Sequence, residues 1–278
     1  MSKVWLITGS SRGFGWELTK AVLAKGHKVV ATARRREQLV SLEEEYGDQI
    51  RTFSLDVTDR NAAQAAVKYA VDEFGALDVV VNNAGYANSA PIEEMAEDDF
   101  RAQVETNLFG VVNVTKAALP IFRKQRNGYF IQFSSIGGRV GGTPGMGAYQ
   151  TAKYAVEGFS EVLNNEVKPF GVKVTLIEPG AFRTDWQGSS MVRAQVGPDY
   201  EQTVGAINKM REETDGKQPG DPARAAEIII KLTEEKEPPL RLILGAAALE
   251  SALKSSKERV SEAEKWADVS KSADFTTD

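Results

Sequence analysis

The sequence has no cysteine and a single histidine, His27, among 278 residues. The first absence excludes disulfides, thiolate nucleophiles and cysteine-ligated zinc. The second leaves any Ser-His-Asp mechanism or His-rich metal site resting on His27 alone. That residue sits in Lys25-Gly26-His27-Lys28, where a helix gives way to a strand, and reads as structural; no metal is expected. An excess of positive charge is also missing, with a net charge of -5 and a pI near 5.3. A general nucleic-acid binder needs a cationic surface to replace phosphate counterions, so nucleic acid is not an expected partner. No apolar run approaches the length of a membrane-spanning helix, which argues against a membrane partner. The run that follows Met1-Ser2-Lys3 is too short for a signal peptide. The expectation is a soluble protein of a reducing compartment, the cytoplasm.

What is present is apolar and alternating. Hydrophobic residues make up 42% of the chain, enough for a substantial core, and the length favours one large α/β domain spanning 1–278. Short apolar runs at 4–8, 28–32, 50–55, 77–81, 129–133, 172–177 and 240–244 read as strands. Segments 15–24, 36–46, 61–74, 97–124 and 149–168 read as helices. Strands alternating with helices predict βαβ units, and continuous apolar strands predict a sheet buried on both faces. The fold class is therefore α/β, a Rossmann-type doubly wound parallel sheet of about seven strands. Segment 186–222 breaks the rhythm with Gly188, Gly197-Pro198 and Pro219-Gly220 around a short helix near 200–213, and reads as an insertion that covers a ligand. After Ala246, the residues Leu249, Leu253, Val260, Ala263 and Trp266 recur at helical spacing, suggesting an extension over 246–278 that docks on the body or on another subunit.

The first strand leads into Thr8-Gly9-Ser10-Ser11-Arg12-Gly13-Phe14-Gly15 and then a helix. Such a turn brings the backbone close to a pyrophosphate at a helix N-terminus. The second strand should end beside the adenine ribose, where NAD binders place a carboxylate and NADP binders an arginine. Here Ala33 is followed by Arg34, Arg35 and Arg36, and Arg12 should lie nearby. With no carboxylate to repel a 2′-phosphate and guanidinium groups able to grip it, the expected cofactor is NADP(H). Arg12 and Arg34 are the leading candidates for that contact, then Arg35.

Tyr149 and Lys153 are four residues apart and share one helix face. A neighbouring ammonium favours the phenolate and lowers the tyrosine's pKa, making it a proton donor to a carbonyl or an acceptor from an alcohol. The fifth strand ends in Phe133-Ser134-Ser135, at the sheet edge where open α/β folds bind ligands. Between there and Tyr149, six glycines from Gly137 to Gly147 leave room for a substrate. Ile136, Gly137, Pro144, Trp186 and parts of 191–210 are the expected pocket walls, a mix that suggests an apolar or aromatic carbonyl compound.

Thr8-Gly9-x-x-x-Gly13-x-Gly15, Asn82-Asn83-Ala84-Gly85, Asn107, Ser135, Tyr149-x-x-x-Lys153 and Pro179-Gly180 follow the order and spacing of the short-chain dehydrogenase/reductase family, classical type. The chain resembles that family closely over about residues 3–185. The resemblance implies an oxidoreductase moving a hydride between NADP(H) and a carbonyl or secondary alcohol, as a ketone or aldehyde reductase. It implies a catalytic set of Asn107, Ser135, Tyr149 and Lys153: Tyr149 exchanges the proton, Lys153 lowers its pKa and binds the nicotinamide ribose, Ser135 orients the carbonyl, and Asn107 holds a relay water. It also implies cofactor contacts from Gly9, Ser11, Arg12, Gly13, Phe14 and Gly15, from Arg34 and Arg35, and from Asp56 and Val57 at the adenine. Asn83, Ala84 and Gly85 shape the groove, while Ile177, Pro179, Gly180 and Thr184 position the nicotinamide. A homodimer or homotetramer is implied too, although the extended tail departs from the family's shortest members. Phe14, where a smaller aliphatic residue is usual, is a second departure. Two rivals stand beside this reading. A nucleotide-sugar epimerase or dehydratase of the extended branch would show Thr-Gly-x-x-Gly-x-x-Gly in the first turn, and a non-catalytic NADP(H)-binding regulator would not need the tetrad.

Overall fold

The computed structural model describes residues 2–188 and 190–275. In chain order, the first half forms β1 (Val4–Ile7), α1 (Gly13–Ala24), β2 (Lys28–Ala33), α2 (Val40–Tyr46), β3 (Ile50–Ser54), α3 (Arg60–Phe74), β4 (Val79–Asn82), β5 (Ala87–Ser89), α4 (Glu97–Val104) and α5 (Gly110–Gln125). The second half forms β6 (Gly128–Phe133), α6 (Gly147–Val167), β7 (Val172–Pro179), β8 (Met191–Arg193), α7 (Ala206–Thr214), α8 (Pro222–Leu232), β9 (Arg241–Leu244), α9 (Ala246–Lys265) and α10 (Ala267–Lys271). Seven strands make one parallel sheet in the order β3-β2-β1-β4-β6-β7-β9. This is the Rossmann arrangement that the alternating pattern predicts. The direction of winding reverses between β1 and β4, which opens a crevice at their carboxyl ends.

Successive side chains on a strand point to opposite faces, so each apolar strand feeds two cores. Trp5, Ile7, Val29, Ala31, Val79 and Val81 pack on one face with Leu18 and Val22 of α1 and Ala226, Ile229 and Ile230 of α8. Leu6, Val30, Val80 and Phe130 face the other way, against Ala66 and Ala70 of α3, Val114 and Phe122 of α5, and Leu163 of α6. His27 precedes β2 at the amino end of the sheet, remote from the crevice. Its Nδ1 accepts from the Lys3 amide at 3.1 Å, and burial lowers its pKa, in keeping with a structural role.

Four features depart from the sequence pattern. The helix expected over 97–124 is interrupted by a π-helical turn at Glu105–Phe109, in which the buried Asn107 reaches the Tyr86 backbone. Helix α8 has no counterpart among the helices the sequence predicts, although Asp221 caps it through Ala223 N at 2.9 Å and Arg224 N at 3.3 Å, with Pro222 in the first turn. Strands β5 and β8, three residues each, pair in parallel as a separate ladder and are too short to show a period. Finally, α9 meets the body through Ala248 and Ala252, while Leu249, Leu253, Val260 and Trp266 are each about half exposed. The reason is spacing: a Cβ at Gly180 would lie 2.8 Å from Ala248 Cβ, an approach that only small side chains permit, so the larger apolar residues turn outward.

Candidate active site

A cavity of about 770 Å³ runs along the carboxyl edge of the sheet. The glycine turn forms its floor at one end. Gly9 and Gly13 adopt φ values of +69° and +55°, a region that other residues rarely enter. Gly15 is excluded from bearing a side chain for another reason: a Cβ there would meet Gly9 O at 2.2 Å. Helix α1 begins behind the turn with no side-chain cap and no acidic residue in its first turn. Its free N–H groups and dipole suit an anion, which is the fit expected for a dinucleotide pyrophosphate. Phe14 fills the place behind the turn by packing on Phe133 and Phe182, with ring centroids 5.4 and 5.0 Å away. This accommodates the aromatic residue without blocking the turn.

The turn is fastened to the end of β4. Thr8 Oγ1 accepts from the amides of Asn83 and Ala84, each at 3.0 Å, while Asn83 Nδ2 donates to Thr8 O at 2.9 Å and Gly9 O at 3.1 Å. Gly85 leaves space for Asn107, whose Oδ1 would lie 2.6 Å from a Cβ added there. Ser11, Arg12, Arg34, Arg35, Asp56 and Val57 line the same end of the cavity, so the candidate cationic and adenine-side residues are brought together. Pro179, Gly180 and Thr184 line the middle. Ile177 is fully buried within β7 and lies under the cleft rather than on its wall.

The strand β6, the loop after it and α6 supply the candidate reactive groups. Lys153 is buried in α6 and donates from Nζ to the Phe133 carbonyl at 2.7 Å. Its ammonium stands 5.8 Å from the Tyr149 ring centroid. Ser135, in extended backbone, accepts from Gly137 N at 3.0 Å and also hydrogen-bonds Tyr149. Ser134, the neighbouring hydroxyl, is buried with no partner, and Gly138 lacks a side chain where a Cβ would meet Ser134 Oγ at 2.6 Å. Burial pushes the Tyr149 pKa up to about 12, with the Ser135 hydrogen bond opposing it. Burial also pulls Lys153 down to about 8, with Glu157 opposing. The sequence-based expectation of a lowered tyrosine pKa therefore does not hold: desolvation outweighs the ammonium, which is committed to a backbone carbonyl.

Asn107 is fully buried and outside the cavity wall. Its Oδ1 accepts from Tyr86 N at 3.0 Å and its Nδ2 donates to Tyr86 O at 2.8 Å, so both ends of the amide are used on the backbone. The far end of the cavity has only some of the walls that the sequence suggests. Ile136, Gly137 and Trp186 line it, with the Trp186 ring 5.3 Å from that of Tyr149. Pro144 does not; Thr143 and Met146 take its place. Segment 191–210 contributes no wall among the described residues, because Met191 is buried in a cluster with Ala87, Met146 and Tyr149. Sequence reasoning missed Phe182 and Arg211, both on the wall. Nothing in the local pattern distinguishes either from a surface residue.

The family model described as short chain dehydrogenase matches residues 3–194. The chain is 49% identical to the oxidoreductase BOA17 of Botryotinia fuckeliana over 271 residues, covering 97% of this chain and 98% of that one. It is 35% identical to a 3-ketodihydrosphingosine reductase of Bacteroides thetaiotaomicron over 247 residues, 87% and 88% of the two chains. Among solved structures, a short-chain dehydrogenase of Streptomyces avermitilis superimposes with a TM-score of 0.92 at 38% identity, over 99% of this chain and 100% of the other. Among the described residues no helix is long and apolar enough to cross a membrane.

Proposed function

Since the chain belongs to the short-chain dehydrogenase/reductase family, we propose that it is an NADP(H)-dependent reductase of a ketone or aldehyde, working reversibly on the corresponding alcohol. The observation that carries this reading is the grouping of Tyr149, Ser135 and Lys153 on one wall of a cleft whose opposite end is a glycine turn at an uncapped helix N-terminus. The bound cofactor supplies or accepts the hydride. The chain's residues do the rest. Tyr149, whose phenol stays protonated in the buried site, donates its proton to the carbonyl oxygen as that oxygen gains charge. Ser135 hydrogen-bonds the same oxygen and fixes its approach. Lys153, held by Phe133 O, stabilises the phenolate left behind and reaches the nicotinamide ribose. Asn107, locked onto Tyr86 through both ends of its amide, holds the turn between α4 and α5 against the segment that follows β4 and acts by position.

Gly9, Ser11, Gly13, Phe14 and Gly15 would hold the pyrophosphate, Asp56 and Val57 the adenine, Asn83 to Gly85 the ribose side, and Pro179, Gly180 and Thr184 the nicotinamide. Arg12, Arg34 and Arg35 support the choice of NADP(H), because the end of β2 carries no carboxylate to repel a 2′-phosphate. Segment 186–222 is read as the cover of the substrate end. Phe109 and Val162, exposed on neighbouring helical elements, support pairing of copies as a homodimer or homotetramer, which light scattering checks. The function is tested by following nicotinamide absorbance with a panel of ketones, aldehydes and their alcohols. Turnover with NADPH is expected; cofactor binding with no turnover of any member would favour a regulator.

A further inference from the structure

Arg211 is a buried cation with no counter-charge among the described residues. It projects from α7 with only 6% of its surface exposed, and it forms part of the cavity wall. Its one side-chain hydrogen bond among the described residues is a long one, from Nη1 to Ser89 Oγ at 3.5 Å. Ser89 Oγ in turn donates to Asn208 Oδ1 at 2.6 Å. No described carboxylate forms an ion pair with Arg211. The charge it feels is Arg193, of like sign, which adds to burial in lowering its pKa. Arg193 itself is engaged, donating to Gln187 O and standing 3.8 Å from Glu212.

A guanidinium carries five donors in a planar fork. Burying it unpaired beside a second arginine opposes folding, and an apolar residue would fill the same place without that cost. Such an arrangement is explained when the missing anion arrives with a ligand. The position identifies which ligand. Ser89 lies against Gly145, where an added Cβ would meet its Oγ at 2.8 Å, and Met146 and Tyr149 follow on the same stretch of chain. Arg211 therefore belongs to the substrate end of the cleft, whereas Arg12, Arg34 and Arg35 serve the glycine-turn end.

We propose that Arg211 recognises a carboxylate on the substrate, so that the enzyme takes keto acids or oxo acids whose carbon chain crosses Met146 and Trp186 between the reacting carbonyl and the anion. This rests on the reductase reading above and replaces the apolar carbonyl compound that the sequence suggests. A planar carboxylate accepts two parallel N–H bonds from such a fork, which an ester or amide does only weakly.

The test compares acid and methyl ester pairs (levulinate, 5-oxohexanoate and 4-oxo-4-phenylbutyrate) with NADPH, using the wild type, Arg211→Lys and Arg211→Met. The wild type is expected to favour each acid over its ester. Arg211→Met should lower kcat/KM for the acids about 10- to 100-fold, the range of a lost charge-assisted hydrogen bond. The esters and NADPH affinity should stay within about threefold, the scale of an unaffected contact, and Arg211→Lys should recover part of the loss for the acids. An acid-to-ester ratio equal in wild type and Arg211→Met overturns the proposal while leaving the reductase reading intact. Should no carbonyl compound in either series turn over, the reductase reading is decided by the ketone, aldehyde and alcohol panel above, and calorimetry with 4-phenylbutyrate against 4-phenylbutyramide decides for Arg211. Binding of the acid alone, lost in Arg211→Met, sustains the site; no preference for the acid in the wild type removes it.

Discussion

The Lys153 ammonium donates to the main-chain oxygen of Phe133 at 2.7 Å, joining α6 to the end of β6, two residues before Ser135. Because the bond is made to backbone, the lysine is positioned before any ligand arrives. Its charge is less secure. Burial pulls its pKa down to about 8, and Glu157, one turn along α6, is the side chain that opposes the fall.

The pH dependence follows from that balance. A cation whose pKa is lowered loses its charge as pH rises through the lowered value, so kcat/KM for reduction is expected to decline above about pH 8. Glu157→Gln removes the opposing charge, and the decline should begin at lower pH. Coincident profiles for the two proteins would show that Glu157 does not act on Lys153.

Tyr149→Phe removes the proton donor and leaves the ring against Trp186. Turnover should fall by about 10²- to 10⁴-fold, the scale of general acid catalysis. NADPH affinity, measured by titration, should change by no more than about twofold, since the phosphate contacts are untouched. Residual activity near the wild-type level would assign the proton to another group.

Arg34→Asp places a carboxylate where the 2′-phosphate is expected. NADPH affinity should drop about 10-fold or more through lost pairing and added repulsion, and NADH should become the better cofactor. An unchanged preference in steady-state kinetics would locate the phosphate contact elsewhere.

Arg241 holds together three acids, of which Glu157 and Glu178 are buried and Glu161 is exposed. It donates to Glu157 at 2.8 Å and Glu161 at 3.0 Å, and lies 3.6 Å from the fully buried Glu178. Arg241→Met should destabilise the fold by about 2 kcal/mol or more, because the acids lose their partner. Burial raises the Glu178 pKa, and without Arg241 it rises further. A raised carboxyl pKa means the deficit grows as pH climbs past the unfolded value and is complete above the folded one. The difference in thermal midpoint should therefore be larger at pH 8 than at pH 5. An equal difference at both would mean that the acids do not change protonation between these pH values and would count against the role of Arg241 in the Glu178 titration.

The parts of this molecule that a sequence displays are those set by local pattern. Apolar strands such as Val79–Asn82, the glycines of the first turn and the Tyr149/Lys153 spacing each follow from periodicity or backbone geometry within a few residues. What stayed hidden depends on distant partners. Arg211 is an ordinary helical arginine until Ser89, 122 positions away in the chain, and the cavity wall enclose it. Ala248 and Ala252, rather than the larger apolar residues beside them, face inward because Gly180 brings the two elements close. The Tyr149 pKa departs from the sequence expectation for a similar reason, since spacing reveals the neighbouring charge and not the depth of burial.

Trp186 gives the protein an internal optical gauge. Of the four tryptophans, Trp5 is sealed in the interior, Trp16 rests against the same core and Trp266 faces solvent on the tail. Trp186 alone combines a place on the cleft wall with a ring 5.3 Å from the reactive phenol. An occupant that reaches Tyr149 must alter the surroundings of that indole, so its emission registers arrival at the reaction centre without label, chemistry or colour in the guest.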